Sequence, residues 1–256
     1  MVLRFLEAVG AFVLARLASL GSVVLLYVEV AKELRHRPRV RAILEQMSHL
    51  GVDSLLIVTL TLLFTGVVLT LQTATELIKY GAQGTIGAII AIGIGRELGP
   101  VLVGVVCAGR VGAAITAEIS TMKVTEQIDA LRVMAVSPVD YLILPRMLAC
   151  MMVVPLLTVF GDFIGVFGGW VVAVYYSGIS SFTFTHSLAV YVDAYDLVGG
   201  LVKAIFFGNV IAVLGCYYGL HAPDGAAGVG QATTRTVVSS IIVIFILNAF
   251  LTFLLY

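Results

Sequence analysis

A few ionisable side chains interrupt long apolar stretches of the sequence, where a charge is expensive if the stretch crosses a membrane. Arg96 and Glu97 lie in a glycine-rich apolar run, and Arg110 follows two heptads later. Because each helical residue turns by about 100°, we expect Arg96 and Arg110 to fall within about 40° of each other. Charges at membrane depth usually face a polar interior or a partner. Two interpretations stay open: a cavity that accepts a polar head group, or internal salt bridges, for example from Arg110 to Glu97 or Glu118.

Lys203 is a further candidate for the same cavity, because it lies near the start of a later apolar segment. In the alternative interpretation, its stem lies in the apolar region and its ammonium group reaches the membrane surface. The sequence leaves both interpretations open.

Residues 118–136 predict a short amphipathic helix between two apolar segments. Val124, Ile128, Leu131 and Ala135 repeat at helical spacing. The residues between them include charged ones, Lys123, Glu126, Asp129 and Arg132. Such a helix either rests on the bilayer surface or docks a cytoplasmic partner, and composition alone does not separate the two.

The usual catalytic motifs are missing from the sequence. None of its lysines follows a glycine, so it has no P-loop, and it has neither Gly-x-Ser-x-Gly nor His-Glu-x-x-His. Its cysteines and histidines are scattered, unlike a disulfide framework or a metal site. We therefore predict a non-catalytic chain that holds no cofactor or metal of its own.

The composition places the chain in a membrane. Hydrophobic residues make up 60% of it and charged residues 12%, against about 25% charged residues in a typical soluble domain. The net charge is zero, so nothing indicates a nucleic-acid partner.

Five segments are long and apolar enough to cross a bilayer as helices. They are about Val52–Gln72, Ile86–Thr116, Tyr141–Tyr176, Leu197–Leu220 and Thr236–Tyr256. Residues 177–196 are predicted to form an external loop and residues 221–235 another loop. Glycines at small-xxx-small spacing, such as Gly161 and Gly165, predict close helix packing.

Residues 1–31 predict an amphipathic helix that lies in the membrane interface. The alternative is a sixth span, but Arg16 would then lie at mid-depth at a cost of about 2.5–3.5 kcal/mol. Basic residues cluster before the first span and between the second and third spans. By the positive-inside rule, the N-terminus is cytoplasmic and the C-terminus is outside.

The predicted fold class is thus all-α: a polytopic membrane protein with an N-terminal interfacial helix, five transmembrane helices and a cytoplasmic helix between the second and third spans. We predict one domain over residues 1–256. Residues 1–48 would hold the interfacial helix and its connector, and residues 49–256 the transmembrane core.

Three long stretches closely resemble the MlaE/YrbE permease family. They are residues 96–120, residues 122–134 and the run Ala-Thr-Thr-Arg-Thr-Val-Val at 232–238. The resemblance implies the homodimeric permease of an ABC transporter in the bacterial inner membrane. It further implies a separate cytoplasmic ATPase that binds ATP and magnesium, a ring of MCE-domain proteins outside and, in many members, a STAS-domain protein. The implied substrate is phospholipid, moved between the inner membrane and the MCE conduit toward the outer membrane, whose lipid asymmetry such systems serve.

The same resemblance assigns residues to two sites and a charge network. The implied lipid cavity is lined by Leu69, Tyr80, Arg96, Glu97 and Lys203, and the intramembrane charge network includes Arg110 and Glu118. The implied ATPase-coupling helix includes Lys123, Val124, Glu126, Gln127, Ile128, Asp129, Leu131 and Arg132. Arg96 and Lys203 would attract a phosphate group, and Glu97 would orient Arg96 or repel anions.

Two other functions are compatible with the membrane topology. An ion-coupled secondary transporter or channel would explain the intramembrane charges but would be active without an ATPase. A membrane scaffold of a multi-subunit complex would tolerate the loss of those charges.

Overall fold

The computed structural model describes residue 14, residues 21–33 and residues 39–256, and all regular structure in these residues is helical. Among these described residues, five helices are long and apolar enough to cross a membrane, as predicted. The eight helices of the described ranges are α1 (21–33), α2 (Val40–Lys79), α3 (Gln83–Val124), α4 (Gln127–Val133), α5 (Val139–Tyr175), α6 (Ser181–Tyr191), α7 (Ala194–Leu220) and α8 (Ala226–Leu255).

The predicted N-terminal interfacial helix lies mostly outside the described residues. Of residues 1–31, the structure describes residue 14 and residues 21–31. α1 packs against the core through the buried side chains of Leu26 and Val30. The hydroxyl of Tyr27 donates a hydrogen bond to the Asn209 side chain on α7. The orientation of the chain across the membrane stays a prediction, as does the single domain, although α2 runs without a break through residues 48 and 49.

Two segments that were predicted as loops from their polar residues contain helices in the structure. Residues 177–196 contain α6, which packs on α3: Phe184 is buried, and the Ser187 hydroxyl accepts a hydrogen bond from the Ala88 N–H at 3.2 Å. The loop predicted at 221–235 ends early, because α8 begins at Ala226.

The single helix predicted over residues 118–136 is also wrong. α3 continues to Val124, and the chain turns at Glu126, whose φ is 59°. Only Gln127–Val133 forms the separate helix α4, and Ala135 again has a left-handed φ of 57°. Because of these breaks, the residues of the predicted apolar stripe do not share one helix face.

Two π-helical turns interrupt α3, at Ile94–Leu98 and at Ala108–Gly112. The first contains Arg96 and Glu97 and precedes Pro100, and the second contains Arg110. A π turn inserts an extra residue and shifts the helical register, and such turns are frequent at functional sites. The constant rotation of 100° per residue assumed from the sequence therefore does not hold along α3.

Glycines bring α2 and α5 into close contact. A Cβ atom built on Gly66 would overlap the backbone carbonyl of Gly165, and one built on Gly168 would lie 2.9 Å from the Leu63 carbonyl oxygen. Small residues let membrane helices approach to this distance and gain dispersion contacts. The close packing predicted from the glycine spacing is thus present between these two helices.

We predict that Gly66→Ala destabilises the protein while Gly109→Ala does not. The new methyl group at residue 66 must push α2 away from α5, and such overpacking costs about 1–3 kcal/mol. Gly109 also lies within a membrane helix, but a Cβ there has no neighbouring atom within 4 Å. Thermal unfolding of both variants in detergent checks the prediction. Equal melting temperatures would show that the α2–α5 contact tolerates a wider separation.

Candidate functional site

The Lys203 ammonium group lies at the centre of a buried ionic cluster. Lys203, on α7, is fully buried, and its Nζ lies 2.7 Å from Glu97 Oε1. Nζ also donates hydrogen bonds to Thr252 Oγ1 at 2.8 Å and to the Arg96 carbonyl oxygen at 2.9 Å. An ammonium group has three N–H donors. All three have a partner here, so Lys203 has no donor left for a ligand.

Pro100 explains why the Arg96 carbonyl accepts this bond. In a regular helix the N–H of residue 100 would donate to the carbonyl of residue 96, but proline has no N–H. A carbonyl without a donor costs several kcal/mol in a membrane. Lys203 supplies the missing donor from a neighbouring helix.

Glu97 receives its other hydrogen bonds from α8. Asn248 Nδ2 donates to Glu97 Oε2 at 3.0 Å, and the Thr252 hydroxyl donates to Oε1 at 2.9 Å. The Glu97 carboxylate therefore connects three helices, because Lys203 reaches it from α7. Glu97 pairs with Lys203 here, and its predicted role of orienting Arg96 stays a prediction.

The Arg96 guanidinium group pairs with Asp196, near the start of α7. Its Nη2 and Nε atoms lie 2.5 and 2.6 Å from Asp196 Oδ1, and its Cζ stacks 4.5 Å from the centre of the Tyr256 ring. Asp196 also closes a capping box with Asp193 at the α7 N-terminus. The Asp196 side chain is 2% exposed and that of Arg96 is 36% exposed. Arg96 is thus the cation of this cluster that a ligand can reach.

Leu69 and Tyr80 lie apart from these charges. Leu69 lines a groove of about 410 Å³ on α2, and the groove reaches Leu98, next to Glu97. Tyr80 follows the end of α2 and is 79% exposed. The structure thus brings Arg96, Glu97 and Lys203 together. Leu69 is not part of this cluster, but it lines the same groove as Leu98, the residue after Glu97.

The salt bridges suggested for Arg110 are wrong. Arg110 pairs with Asp53 on α2, with Nη2 3.2 Å from Oδ2. Glu118 instead accepts a hydrogen bond at 2.6 Å from Arg146, whose side chain is almost fully buried. The π turn around Arg110 changes its direction, so spacing along a regular helix predicts the wrong partner.

Four residues of the cluster were not predicted from the sequence. The pattern of Asp193 and Asp196 before an apolar run is typical of a helix N-terminus, and it could have indicated the start of α7. Polar side chains four residues apart in the last span could have indicated a face that bonds to another helix. The residues that were missed are Asp196, Asn248, Thr252 and Tyr256.

α4 presents a different surface from the one that the sequence predicted. Ile128 is buried and Leu131 packs against the core. Val133 and Met134 are 88% and 63% exposed. Any partner of α4 would meet these two apolar side chains, which the sequence analysis did not select.

The other residues assigned to coupling lie around α4. The Arg132 side chain pairs with Asp129 at 2.9 Å. Val124, at the end of α3, is 38% exposed, and Glu126 and Gln127 are exposed. Lys123 Nζ donates a hydrogen bond at 2.7 Å to the Ala222 carbonyl, which ties the end of α3 to the loop after α7.

Comparison with known proteins gives a consistent result along the chain. The family model described as "Permease MlaE" matches residues 43–254. A probable ABC transporter permease protein of Rickettsia typhi is 40% identical over 99% of this chain and 94% of its own. One from Synechocystis is 44% identical over 87% of this chain and 85% of its own. The intermembrane phospholipid transport system permease protein MlaE of Haemophilus influenzae is 36% identical over 100% of this chain and 99% of its own.

Five apolar helices in the described part of the chain, with an ionic cluster of paired charges among α3, α7 and α8, define a polytopic membrane protein. The chain belongs to the MlaE permease family. It is a multi-pass protein of the bacterial inner membrane.

We predict that Lys203→Met lowers the free energy of unfolding by about 1–3 kcal/mol, because it removes the counter-ion of the partly exposed Glu97 and the donor to the Arg96 carbonyl. The double variant Lys203→Met/Glu97→Gln should lose less, because both charges are gone. Lys79→Met is the control, since Lys79 pairs with Glu76 at the exposed end of α2 and surface pairs contribute only about 0–1 kcal/mol. Unfolding in mixed micelles measures all three. A double variant less stable than Lys203→Met would contradict the pairing.

Proposed function

We propose that this chain is the permease subunit of an ABC transporter that moves phospholipids between the inner membrane and an MCE-protein conduit toward the outer membrane. The names of its relatives support the class, as ABC transporter permeases and, in Haemophilus, as part of an intermembrane phospholipid transport system. Since the chain has no P-loop, a separate cytoplasmic ATPase would bind ATP and magnesium. A STAS-domain protein is a further expected partner.

The observation that carries the proposal is the guanidinium group of Arg96, which is 36% exposed and lies two residues before Leu98, a residue that lines an apolar groove. Two of its nitrogens, Nε and Nη2, contact Asp196. Nη1 then remains for a phosphate oxygen, the partner that the planar guanidinium group suits. The groove that contains Leu69 also reaches Leu98 on the same part of α3 and offers an apolar surface to an acyl chain.

Lys203 and Glu97 act in this proposal as positioning residues. Lys203 is fully buried with its donors in use, so it supports the π turn that carries Arg96 and does not bind the phosphate itself. Tyr80, at the exposed end of α2, is suited to an interfacial head group, because amphipathic aromatic side chains favour that depth.

A second copy of the chain would cover apolar surface that one copy leaves open. α8 buries little of its surface, and Phe245, Phe250 and Phe253 on it are exposed. Phe64 is exposed on α2, next to the groove. In a homodimer the two grooves could face one shared lipid cavity.

α4 is suited to transmit movement from the ATPase. Its exposed Val133 and Met134 offer a small apolar contact. The end of α3 precedes α4 directly, and Lys123 fixes that end to the loop before α8. A push on α4 would therefore act on α3, which carries Arg96, and on the start of α8. The chain itself would make or break no bond.

We predict that Arg96→Gln lowers phospholipid transfer by the assembled transporter at least tenfold while the complex still assembles. The variant removes the charge that would bind phosphate and keeps a hydrogen-bonding side chain. Arg41→Gln is the matched control, because Arg41 is almost fully exposed and pairs with Glu45 on the same helix. Transfer of a fluorescent phospholipid between vesicles measures both. Normal transfer by Arg96→Gln would favour the scaffold, and transfer without ATPase would favour an ion-coupled carrier.

We predict that Val133→Asp weakens binding of the ATPase at least tenfold, because a carboxylate replaces an exposed apolar contact. Val190→Asp introduces the same change at an exposed valine of α6, outside α4, and should leave ATPase binding unchanged. Co-purification and ATPase stimulation check both. Normal ATPase binding by Val133→Asp would show that the partner docks elsewhere.

A further inference from the structure

A second cavity lies among α3, α5, α6 and α7, outside the cluster around Lys203. Its volume is about 420 Å³, in the range of small-molecule sites. Nearly all of its wall is apolar, and Phe163, Val159 and Leu197 line it while remaining largely exposed. The cavity therefore opens on the apolar outer surface of the helix bundle. The groove that contains Leu69 is lined by α2 and Leu98 and shares no lining residue with this cavity.

Asp162 is the one ionisable residue among the described residues that line this cavity. It is 8% exposed, and its Oδ1 atom is buried without a hydrogen-bond partner in the part of the chain that the structure describes. Asp196 and Glu97, by contrast, are both paired with cations. A buried carboxyl group without a partner is costly in a membrane, and such a residue indicates a functional site.

The fold leaves room for this carboxyl group. A Cβ atom built on Gly99 would overlap the side chain of Asp162, so only glycine on α3 lets the carboxyl group occupy its place. Gly95, one turn earlier, lies against Leu197 at the start of α7. The cavity thus begins at the level of the first turn of α7. It reaches Asp162 about one helical turn further along α3, on the order of 5 Å.

We propose that this cavity binds a membrane lipid whose head group carries an ammonium N–H, with the ammonium group donating to Asp162 and hydrocarbon covering the apolar wall. A primary ammonium group supplies both a positive charge and N–H donors, so it satisfies a carboxylate with a charge-assisted hydrogen bond. A quaternary ammonium group supplies the charge without a donor, and an anionic head group is repelled. The site is additional to the lipid groove of the proposed function and does not depend on it.

The test compares ethanolamine and choline phospholipids that have identical acyl chains. Both head groups are zwitterionic, and only the ethanolamine group has N–H donors. Native mass spectrometry of the full chain in detergent, with each lipid added at equal concentration, counts the lipids that remain bound. We expect wild type to retain the ethanolamine lipid at least fivefold better than the choline lipid. Asp162→Leu, of similar size, should remove this preference.

Two further variants separate the site from general lipid adhesion. Asp140→Asn removes a carboxylate far along α5 that pairs with Arg39, and it should keep the preference of wild type. Val166→Phe places a larger side chain in the cavity wall, and it should lower retention of both lipids. Equal retention of both lipids by wild type, or an unchanged preference in Asp162→Leu that still melts as a folded protein, would overturn the proposal.

The source of the bound lipid is decided by lipid transfer in the assembled transporter. If Asp162→Leu loses the bound lipid and transfer is normal, the lipid is a resident of the bilayer. If transfer also falls, the cavity lies on the route of the transported lipid, and both results support the site. The proposed function is tested separately: it fails if the Arg96→Gln variant transfers phospholipid normally.

Discussion

The carbonyl group that Pro100 leaves without a donor is the constraint on which the rest of the site depends. No water is available in a bilayer to satisfy it. Pro100 cannot supply a bond to it, and Lys203 on a neighbouring helix does. A buried ammonium group then needs a counter-ion, which is Glu97, and the carboxylate in turn takes hydrogen bonds from Asn248 and Thr252. One missing N–H thus requires polar side chains on three helices.

The sequence predicted the number of spans and the residues at the centre of the site, because both follow from strong local signals. An apolar run of about 20 residues is hard to mistake, and Arg96, Glu97 and Lys203 are conspicuous within such runs. The partners were harder to predict. Asp196 seemed to lie in an external loop, and Asn248 and Thr252 are polar residues of a kind that membrane helices often tolerate. Their role depends on how α7 and α8 pack against α3, and a single sequence does not reveal that packing.

The errors have a common physical cause, which is that the helices of this chain are not regular. The two π turns of α3 redirect Arg96 and Arg110, and the left-handed residue Glu126 divides the predicted coupling helix. A left-handed φ at a glutamate carries no sequence signal comparable to that of glycine. Because of the second π turn, Arg110 pairs with Asp53 on α2 and not with an acidic residue of its own helix.

The ionic cluster also limits how the helices can move. If α3 separated from α7, the Lys203 ammonium group, the Glu97 carboxylate and the Arg96 carbonyl would all lose partners in an apolar surrounding. Separation of α8 would remove two further bonds from Glu97. α3, α7 and α8 are therefore expected to move as one unit. α5 is tied to this unit by the buried Arg146, which pairs with Glu118 on α3, and α2 is joined to α5 by glycine contacts. The half-exposed pair of Arg110 and Asp53 joins α3 to α2, and it can open to water at far lower cost than the pairs of Lys203 and Arg146. Among the ion pairs that join α3 to other helices, the one to α2 is thus the cheapest to break, and α2 also carries most of the groove that reaches Leu98.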